Sequence, residues 1–127
     1  MVFLEEISQL RPDFYSLMGW FFGSRQVAKE IGINIYDDAE KRWFVAFKDG
    51  RIIGFASIKG RLVSDCYVVQ SKRNIGVFSE ILTMLKNSTI GPLFANCTKA
   101  SRKAFENAGF VVKRQTKNFT YMELDRA

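Results

Sequence analysis

Three strand patterns in succession, between Trp43 and Val69, constrain the fold of this chain more than any other feature. Residues 43–47 and 52–58 flank Asp49-Gly50, a dipeptide that favours a two-residue hairpin turn. A second turn at Gly60 leads into a third strand over residues 62–69. Because such short turns can join only antiparallel neighbours, this segment predicts a three-stranded antiparallel meander.

The remaining elements lie on either side of this meander in the sequence. Before the meander, hydrophobic spacing predicts a strand over residues 2–4 and then a helix with Pro12 in its first turn and an apolar stripe from Phe14 to Phe22. A second helix that ends at Gly32 and an exposed acidic loop over residues 33–41 follow. After the meander we predict a helix from Gly76 to about Lys86 and a strand over residues 93–95. A further helix runs from Thr98 or Lys99 to Gly109, and a closing hairpin consists of residues 110–112 and 119–124. The residues of this last helix that we expect to face inward are Ala100, Ala104, Phe105 and Ala108.

This element order defines a fold class. A strand, a helix and a neighbouring strand within residues 66–95 form one parallel βαβ crossover. We therefore predict an α+β protein of mixed αβα layers, whose central, mostly antiparallel sheet has about seven strands and helices on both faces. The length of 127 residues predicts one domain, residues 1–127.

The sequence contains no histidine, which excludes several kinds of chemistry. Ser-His-Asp and Cys-His catalysis, and metal sites that need imidazole, are ruled out, and we expect no metal. The two cysteines, Cys66 and Cys97, are too few for a disulfide framework. The apolar runs are too short to cross a bilayer and the N-terminus reaches acidic residues too soon for a signal peptide, so we expect a cytoplasmic protein without a membrane anchor.

The formal charge of +6 is concentrated in the second half of the chain. Residues 65–127 carry ten basic and five acidic residues. This excess favours a phosphate-rich ligand, either a nucleotide cofactor or a nucleic acid, although a solvated basic surface would have the same composition.

The most informative stretch is a strand that runs into a basic loop, then a glycine, then a helix. Lys72 and Arg73 lie in the loop and Gly76 precedes the helix. The first N–H groups of a helix have no partner within the helix, and its N-terminus has positive polarity. The arrangement therefore predicts a site for a pyrophosphate.

This stretch resembles the pyrophosphate loop of the GNAT superfamily of acetyl-CoA-dependent N-acyltransferases. The family pattern Q/R-x-x-G-x-G/A matches residues 73–78, Arg-Asn-Ile-Gly-Val-Phe, with Phe78 in place of the second small residue. A second family pattern, N-x-x-A-x-x-x-Y-x-x-x-G-F, matches residues 98–110, with Thr98, Ser101 and Phe105 in place of its Asn, Ala and Tyr. The order of elements agrees along essentially the whole chain.

The resemblance implies where acetyl-CoA, the acyl donor, would bind. In the family two parallel strands splay apart and admit the pantetheine, and backbone groups of the first strand, here around Tyr67 to Val69, hold it. The positions implied to contact the donor are Val68, Val69, Lys72, Arg73, Asn74, Ile75, Gly76, Val77, Phe78, Thr98, Ser101 and Phe105. Phe78 either obstructs the phosphate site or points into the core. Phe105 lacks the hydroxyl that often protonates the departing thiolate in the family.

The resemblance also implies candidates for catalysis and for the acceptor. Asp65 lies on the strand where the family often has a carboxylate and is the candidate general base. Tyr67 and Tyr121 are candidates for the missing phenol, and Trp20 and Arg25, at the end of the first helix, for substrate contacts. Each also has an ordinary structural interpretation, as a paired acid, a packed aromatic or a surface residue. A covalent acyl-cysteine on Cys66 or Cys97 is a further, less favoured interpretation.

The function implied is transfer of an acetyl group from acetyl-CoA to a primary amine by direct attack. The acids Asp37, Asp38, Glu40 and Asp65 are expected to attract a cationic amine. Two alternatives stay open: an acyltransferase-like enzyme that acts on a nucleic acid or nucleotide, and a non-catalytic GNAT-fold binding module. Because family members often pair through their C-terminal strands, a homodimer is also expected.

Overall fold

A computed structural model describes residues 2–126 of the chain, so residues 1 and 127 of the predicted domain lie outside the described residues. The elements, in chain order, are β1 (Phe3–Ile7), α1 (Phe14–Gly23), α2 (Arg25–Ile31), β2 (Arg42–Lys48), β3 (Arg51–Lys59), β4 (Leu62–Val68), α3 (Val77–Asn87), β5 (Leu93–Cys97), α4 (Lys99–Asn107), β6 (Val111–Gln115) and β7 (Thr120–Leu124). A short 3-10 turn, Gln70–Lys72, lies between β4 and α3. No helix of residues 2–126 is long and apolar enough to span a bilayer.

All seven strands form one sheet, in the order β1-β2-β3-β4-β5-β7-β6. Every neighbouring pair is antiparallel except β4 and β5, which are parallel and are joined through α3. The predicted fold class is confirmed. The turn between β2 and β3 has Asp49 and Gly50 at φ 53° and 77°, the left-handed conformation that an Asp-Gly hairpin turn requires.

The helices cover both faces of the sheet and create two cores. On one face α1 and α2 pack on β2 and β3, through an apolar cluster that includes Phe14, Phe21, Trp43 and Phe55. On the other face α3 and α4 pack on the centre of the sheet, with Ile81, Leu82, Leu85 and Phe105 buried. Because α1 and α2 lie over β1 to β4, no helix of residues 2–126 covers β5, β7 and β6 on this face.

Three local predictions were wrong. Pro12 lies in a turn before α1, which begins at Phe14. Ala100 is exposed, because the apolar face of α4 is narrow and centres on Phe105. Residues 33–41 form a loop, but it is not simply exposed: Ile35 joins a core and Lys41 is buried.

Candidate functional site

The two parallel strands β4 and β5 separate after two residue pairs. Leu62 pairs with Phe94 and Val63 with Ala95, and beyond these β4 pairs only with β3 while β5 pairs only with β7. A β-bulge in β4 accompanies the separation. Ala56 of β3 faces two residues of β4, and Asp65, at φ 51°, has the left-handed conformation often found at the first position of a bulge. The predicted splay is therefore present in the structure.

A cavity of about 490 Å³ lies at this gap. Ser64, Asp65 and Cys66 of β4 all line it, as do Asn96 and Cys97 of β5. Since successive residues of a strand point to opposite faces, a cavity lined by both Asn96 and Cys97 reaches both faces of the sheet at the gap. A ligand on one face can therefore meet a ligand on the other.

The rest of the lining comes from five segments around the gap: the end of α2 with the following loop, the end of β3, the start of β4, the start of α4, and the hairpin of β6 and β7. These lining residues are Ile31, Ile33, Tyr36, Asp38, Lys41, Lys59, Leu62, Thr98, Ser101, Arg114, Thr116, Phe119 and Tyr121. The size is in the range of about 300–1,000 Å³ that is usual for small-molecule sites.

Asp65 is held in a buried ion pair. Its Oδ2 accepts hydrogen bonds from Lys41 Nζ at 2.8 Å and Ser57 Oγ at 2.7 Å, and the side chains of Lys41 and Asp65 are only 8% and 3% exposed. Lys41 Nζ also donates to the backbone oxygen of Tyr36 at 2.7 Å. One oxygen of the candidate general base therefore already has two donors, and the structure places Asp65 as the partner of Lys41.

The two candidate tyrosines occupy different places. Tyr121 lines the cavity, and its ring stacks on Phe94 with centroids 6.4 Å apart. Partial burial, together with the nearby carboxylate of Glu123, raises the pKa of Tyr121. Tyr67 lines no part of the cavity and packs among Phe21 and Phe55 on the face of α1 and α2. Of these two candidates, Tyr121 is the one that lies at the cavity.

The backbone at the end of β4 is partly occupied. Val69 N–H donates to Ile53 O at 2.8 Å, and Val68 O accepts from Arg73 Nε at 2.7 Å. These two groups are therefore engaged within the protein, and the contact of Val68 and Val69 with the donor stays a prediction. The edge of β4 that faces the gap runs from the bulge at Asp65 and Cys66 to Tyr67.

The loop before α3 has the backbone of an anion site. Asn74 and Gly76 have φ of 64° and 86°, and Gly76 is the N-cap of α3. No side chain of the described residues caps this end, so the N–H groups of the first turn, at Val77, Phe78 and Ser79, are available to a ligand. Ile75, at the loop tip, is 66% exposed.

Arg73 does not extend toward this site, which corrects the prediction for its side chain. Its guanidinium makes two hydrogen bonds of 3.1 Å to the carboxylate of Glu30 on α2 and lies 5.2 Å from the Tyr67 ring centroid. Its charge is therefore matched inside the protein, and the Arg73 guanidinium lowers the pKa of Glu30. Lys72 makes no ion pair with residues 2–126 and stays the candidate side chain for a phosphate.

Phe78 and Phe105 pack against each other. Their ring centroids are 5.6 Å apart, and Phe105 also contacts Phe110 at 5.1 Å. Phe78 is therefore directed toward α4 and does not obstruct the loop. Phe105 is fully buried and lines no part of the cavity, so nothing in the structure supports the predicted contact between its side chain and the donor.

Replacing Phe105 by tyrosine is expected to lower the free energy of unfolding by about 1–3 kcal/mol, because the added hydroxyl would be buried without a partner. It is expected to give no gain in kcat. Phe3→Tyr, the same change on a residue that is 62% exposed, is the control and should leave stability unchanged. Urea unfolding measures the first effect, and a tenfold gain in turnover would contradict our placement of Phe105.

The start of α4 is brought to the cavity as predicted. Thr98 is the N-cap of α4, and the hydroxyls of Thr98 and Ser101 are 3.4 Å apart at the cavity wall. Trp20 and Arg25 are exposed and line no part of the cavity, because the end of α1 lies over β2 and β3 rather than over the gap. The structure therefore does not support them as substrate contacts.

The cysteines at the gap are not activated. Cys66 and Cys97 are free thiols that line the cavity. Burial, with the charge of Asp65, raises the pKa of Cys66 well above its usual range, and burial also raises the pKa of Cys97. Both thiols stay protonated at neutral pH, which disfavours a covalent acyl-cysteine.

Sequence analysis missed several lining residues. Tyr36, Lys41, Lys59, Asn96 and Arg114 come from four separate segments and belong to no motif. Only Tyr36 and Lys41 could be considered from the sequence, because they lie in the loop whose acidic residues were expected to attract an amine. Two of those acids are engaged: Asp37 accepts from Trp43 Nε1 at 2.7 Å, and Asp38 pairs with Lys59 at 3.0 Å.

The splayed pair of β4 and β5 and the uncapped, glycine-led start of α3 are the two features that the resemblance to acyl-CoA-dependent transferases implies. A family model described as an acetyltransferase (GNAT) domain matches residues 14–124. The chain therefore belongs to the GNAT acetyltransferase domain family. A search of curated proteins found no match.

Solved structures with the same fold are distant in sequence. Escherichia coli ElaA superposes with a TM-score of 0.77 at 11% identity, covering 98% of this chain and 100% of that one. An acetyltransferase from Thermus thermophilus gives 0.72 at 16% identity, covering 99% and 97%. A GNAT family acetyltransferase from Elizabethkingia anophelis, with acetyl-CoA bound, gives 0.65 at 12% identity, covering 98% of each chain.

Proposed function

We propose that this protein transfers an acetyl group from acetyl-CoA to a primary amine by direct attack. The observation that carries the proposal is the cavity at the gap between β4 and β5, which reaches both faces of the sheet. The helix that connects these two strands, α3, has an uncapped N-terminus. A donor held at α3 and an acceptor in the cavity would meet there. The relative with acetyl-CoA bound supports the choice of donor.

The residues around the gap fit such a donor. The pyrophosphate would bind the first N–H groups of α3, with Lys72 beside them. The pantetheine would enter between β4 and β5, where the edge of β4 from the bulge to Tyr67 has no strand partner among the described residues. A backbone N–H on this edge would polarise the thioester carbonyl.

The chemistry follows from what the cavity contains. The amine nitrogen attacks the thioester carbon, a C–N bond forms, the C–S bond breaks, and the sulfur takes a proton. Tyr36 and Tyr121 both line the cavity, and we assign Tyr121, which lies opposite Asn96 of β5 at the gap, as the donor of that proton. The acceptor ammonium loses one proton to water before the attack, since Asp65 Oδ2 is occupied by Lys41 and Ser57. The attacking nitrogen loses a second proton as the amide forms, and this proton returns through water to the Tyr121 phenolate, so that each turnover releases one proton.

The function is tested by titrating acetyl-CoA in a calorimeter and then measuring CoA release with and without amines. Saturable binding and amine-dependent release are the expected results. No binding at about 1 mM acetyl-CoA, the upper end of ordinary Michaelis constants, would refute the proposal. Binding without turnover would favour the binding module, and salt-sensitive binding of DNA or tRNA would favour the nucleic-acid alternative.

Tyr121→Phe is expected to lower kcat about 100-fold, the lower end of the range for general acid catalysis. Since the pKa of Tyr121 is raised, native kcat should decline only above about pH 10, the ordinary tyrosine value, and Tyr121→Phe should lose that decline. Tyr67→Phe is the matched control, because Tyr67 lies outside the cavity. A Tyr121→Phe variant with unchanged kcat and pH profile would remove Tyr121 from the mechanism.

A further inference from the structure

The charges in the cavity wall do not fit a purely cationic acceptor. Five charged side chains line the cavity, namely Asp38, Lys41, Lys59, Asp65 and Arg114. Asp38 pairs with Lys59 at 3.0 Å, and Asp65 pairs with Lys41 at 2.8 Å. Each acid is therefore compensated by its own lysine, and the expectation that acids in this region attract a cation is not supported. The charge that remains in the wall is the positive charge of Arg114.

Arg114 is placed to bind a ligand. It lies on β6 opposite Tyr121 of β7, on an exposed stretch of strand at the rim of the cavity. No carboxylate of residues 2–126 lies within 4 Å of its guanidinium. Glu123 is on β7 two residues from Tyr121 but lines no part of the cavity. A guanidinium presents paired N–H donors that match the two oxygens of a carboxylate.

The rest of this side of the cavity is apolar. Ile33 and Tyr36, from the loop after α2, and Phe119, from the β6–β7 hairpin, line it. Ile33 and Tyr36 are 48% and 63% exposed, so a ligand would bury surface that is now open to water. The wall therefore offers one cation next to an aromatic and aliphatic surface.

We propose that the acceptor is an amine that also carries a carboxylate, which binds Arg114 while its apolar body lies against Ile33, Tyr36 and Phe119. One uncompensated positive charge matches the single charge of a carboxylate, whereas a phosphate dianion would leave one negative charge unmatched. The amine end then points from the rim toward the gap, where Tyr121, across from Arg114, lines the same wall. This inference rests on the proposed function for the transfer step, but the carboxylate subsite can be tested by binding alone.

Two matched pairs of amines test the proposal by turnover: phenylalanine against phenethylamine, and 6-aminohexanoate against hexylamine. In at least one pair, kcat/KM for the carboxylate-bearing amine should be about 10- to 100-fold higher, the range for a hydrogen bond between charged groups. Arg114→Gln should remove this preference and Arg114→Lys should keep part of it. Lys113→Gln, a neighbouring exposed cation outside the cavity, should leave it unchanged. Equal or better use of both amines that lack a carboxylate would overturn the proposal.

Calorimetric binding of 3-phenylpropionate, which has the carboxylate but no amine, separates this inference from the proposed function. If acetyl-CoA binds but no amine releases CoA, the proposed transfer fails. The carboxylate subsite is still supported in that case if 3-phenylpropionate binds the native protein about tenfold or more tightly than it binds the Arg114→Gln variant. Equal binding to the two proteins, or no binding to either together with no preference among the amines, overturns the inference.

Discussion

Replacing Lys41 by methionine is expected to lower the free energy of unfolding by about 3–5 kcal/mol. The substitution removes the ammonium group from a pair in which both side chains are almost fully buried, and so leaves the Asp65 carboxylate with only Ser57 as a side-chain partner. An uncompensated buried charge costs far more than the lost attraction of an exposed pair. Urea unfolding, followed by circular dichroism, measures the change.

Two further variants make this prediction specific to the buried pair. Lys41→Met combined with Asp65→Asn should recover most of the loss, since the charge is then absent and asparagine also tolerates the left-handed conformation at position 65. Lys59→Met removes the partner of Asp38 in a pair that is 48% and 26% exposed, and should cost less than about 1 kcal/mol. If Lys41→Met and Lys59→Met cost the same, the pair between Lys41 and Asp65 is not a buried one in solution.

The same pair is expected to affect the site. Asp65 forms the bulge at which β4 leaves β5, and Lys41 joins that bulge to the loop after α2 through Tyr36 O. A variant that breaks the pair therefore removes a contact that holds both the bulge at the gap and one wall of the cavity in place.

Replacing Ser79 by aspartate is expected to raise the dissociation constant for acetyl-CoA at least tenfold while leaving the fold as stable as before or slightly more stable. Ser79 is exposed in the first turn of α3, where a negative side chain interacts favourably with the helix N-terminus, by about 0.3–1 kcal/mol. The same charge would lie beside the bound pyrophosphate. Two like charges about 4 Å apart near a protein surface repel by about 4 kcal/mol, so a tenfold effect, about 1.4 kcal/mol, is a modest expectation.

Ser79→Asn is the control for this prediction, because asparagine has nearly the shape of aspartate without its charge. It should bind acetyl-CoA like the native protein. Calorimetry with acetyl-CoA measures affinity, and thermal unfolding without ligand measures stability. If the aspartate and asparagine variants bind acetyl-CoA equally well, the pyrophosphate does not bind at the start of α3.

Sequence reasoning succeeded where a feature depends on neighbours along the chain. Asp49-Gly50 predicts its hairpin because two adjacent residues must adopt positive φ, and Gly76 predicts the start of α3 for a similar local reason. The apolar stripes that bury Ile81 and Leu85 follow from the helical period. The sheet, its parallel pair and the position of the phosphate loop could therefore be predicted.

Sequence reasoning failed where the partner of a side chain lies far away along the chain. Arg73 was assigned to a phosphate but pairs with Glu30, 43 residues earlier, and Asp65 was assigned to catalysis but pairs with Lys41, 24 residues earlier. The spacing of nearby residues cannot indicate such a pairing, because the pairing depends on which helix, strand or loop packs beside the residue in the folded protein. Phe105 matches the motif in position, yet the packing of α4 turns its ring into the core between Phe78 and Phe110.

The sequence by itself determined the class of fold and the glycine-led start of α3, because hydrophobic period, turn residues and helix ends are local properties of the chain. The splayed strand pair was implied by the family resemblance. Only the tertiary structure decided which charges are available to a ligand. That outcome depends on ion pairs between segments that meet in space: these pairs occupy Arg73, Asp38 and Asp65, and leave Arg114 at the cavity without a partner among residues 2–126.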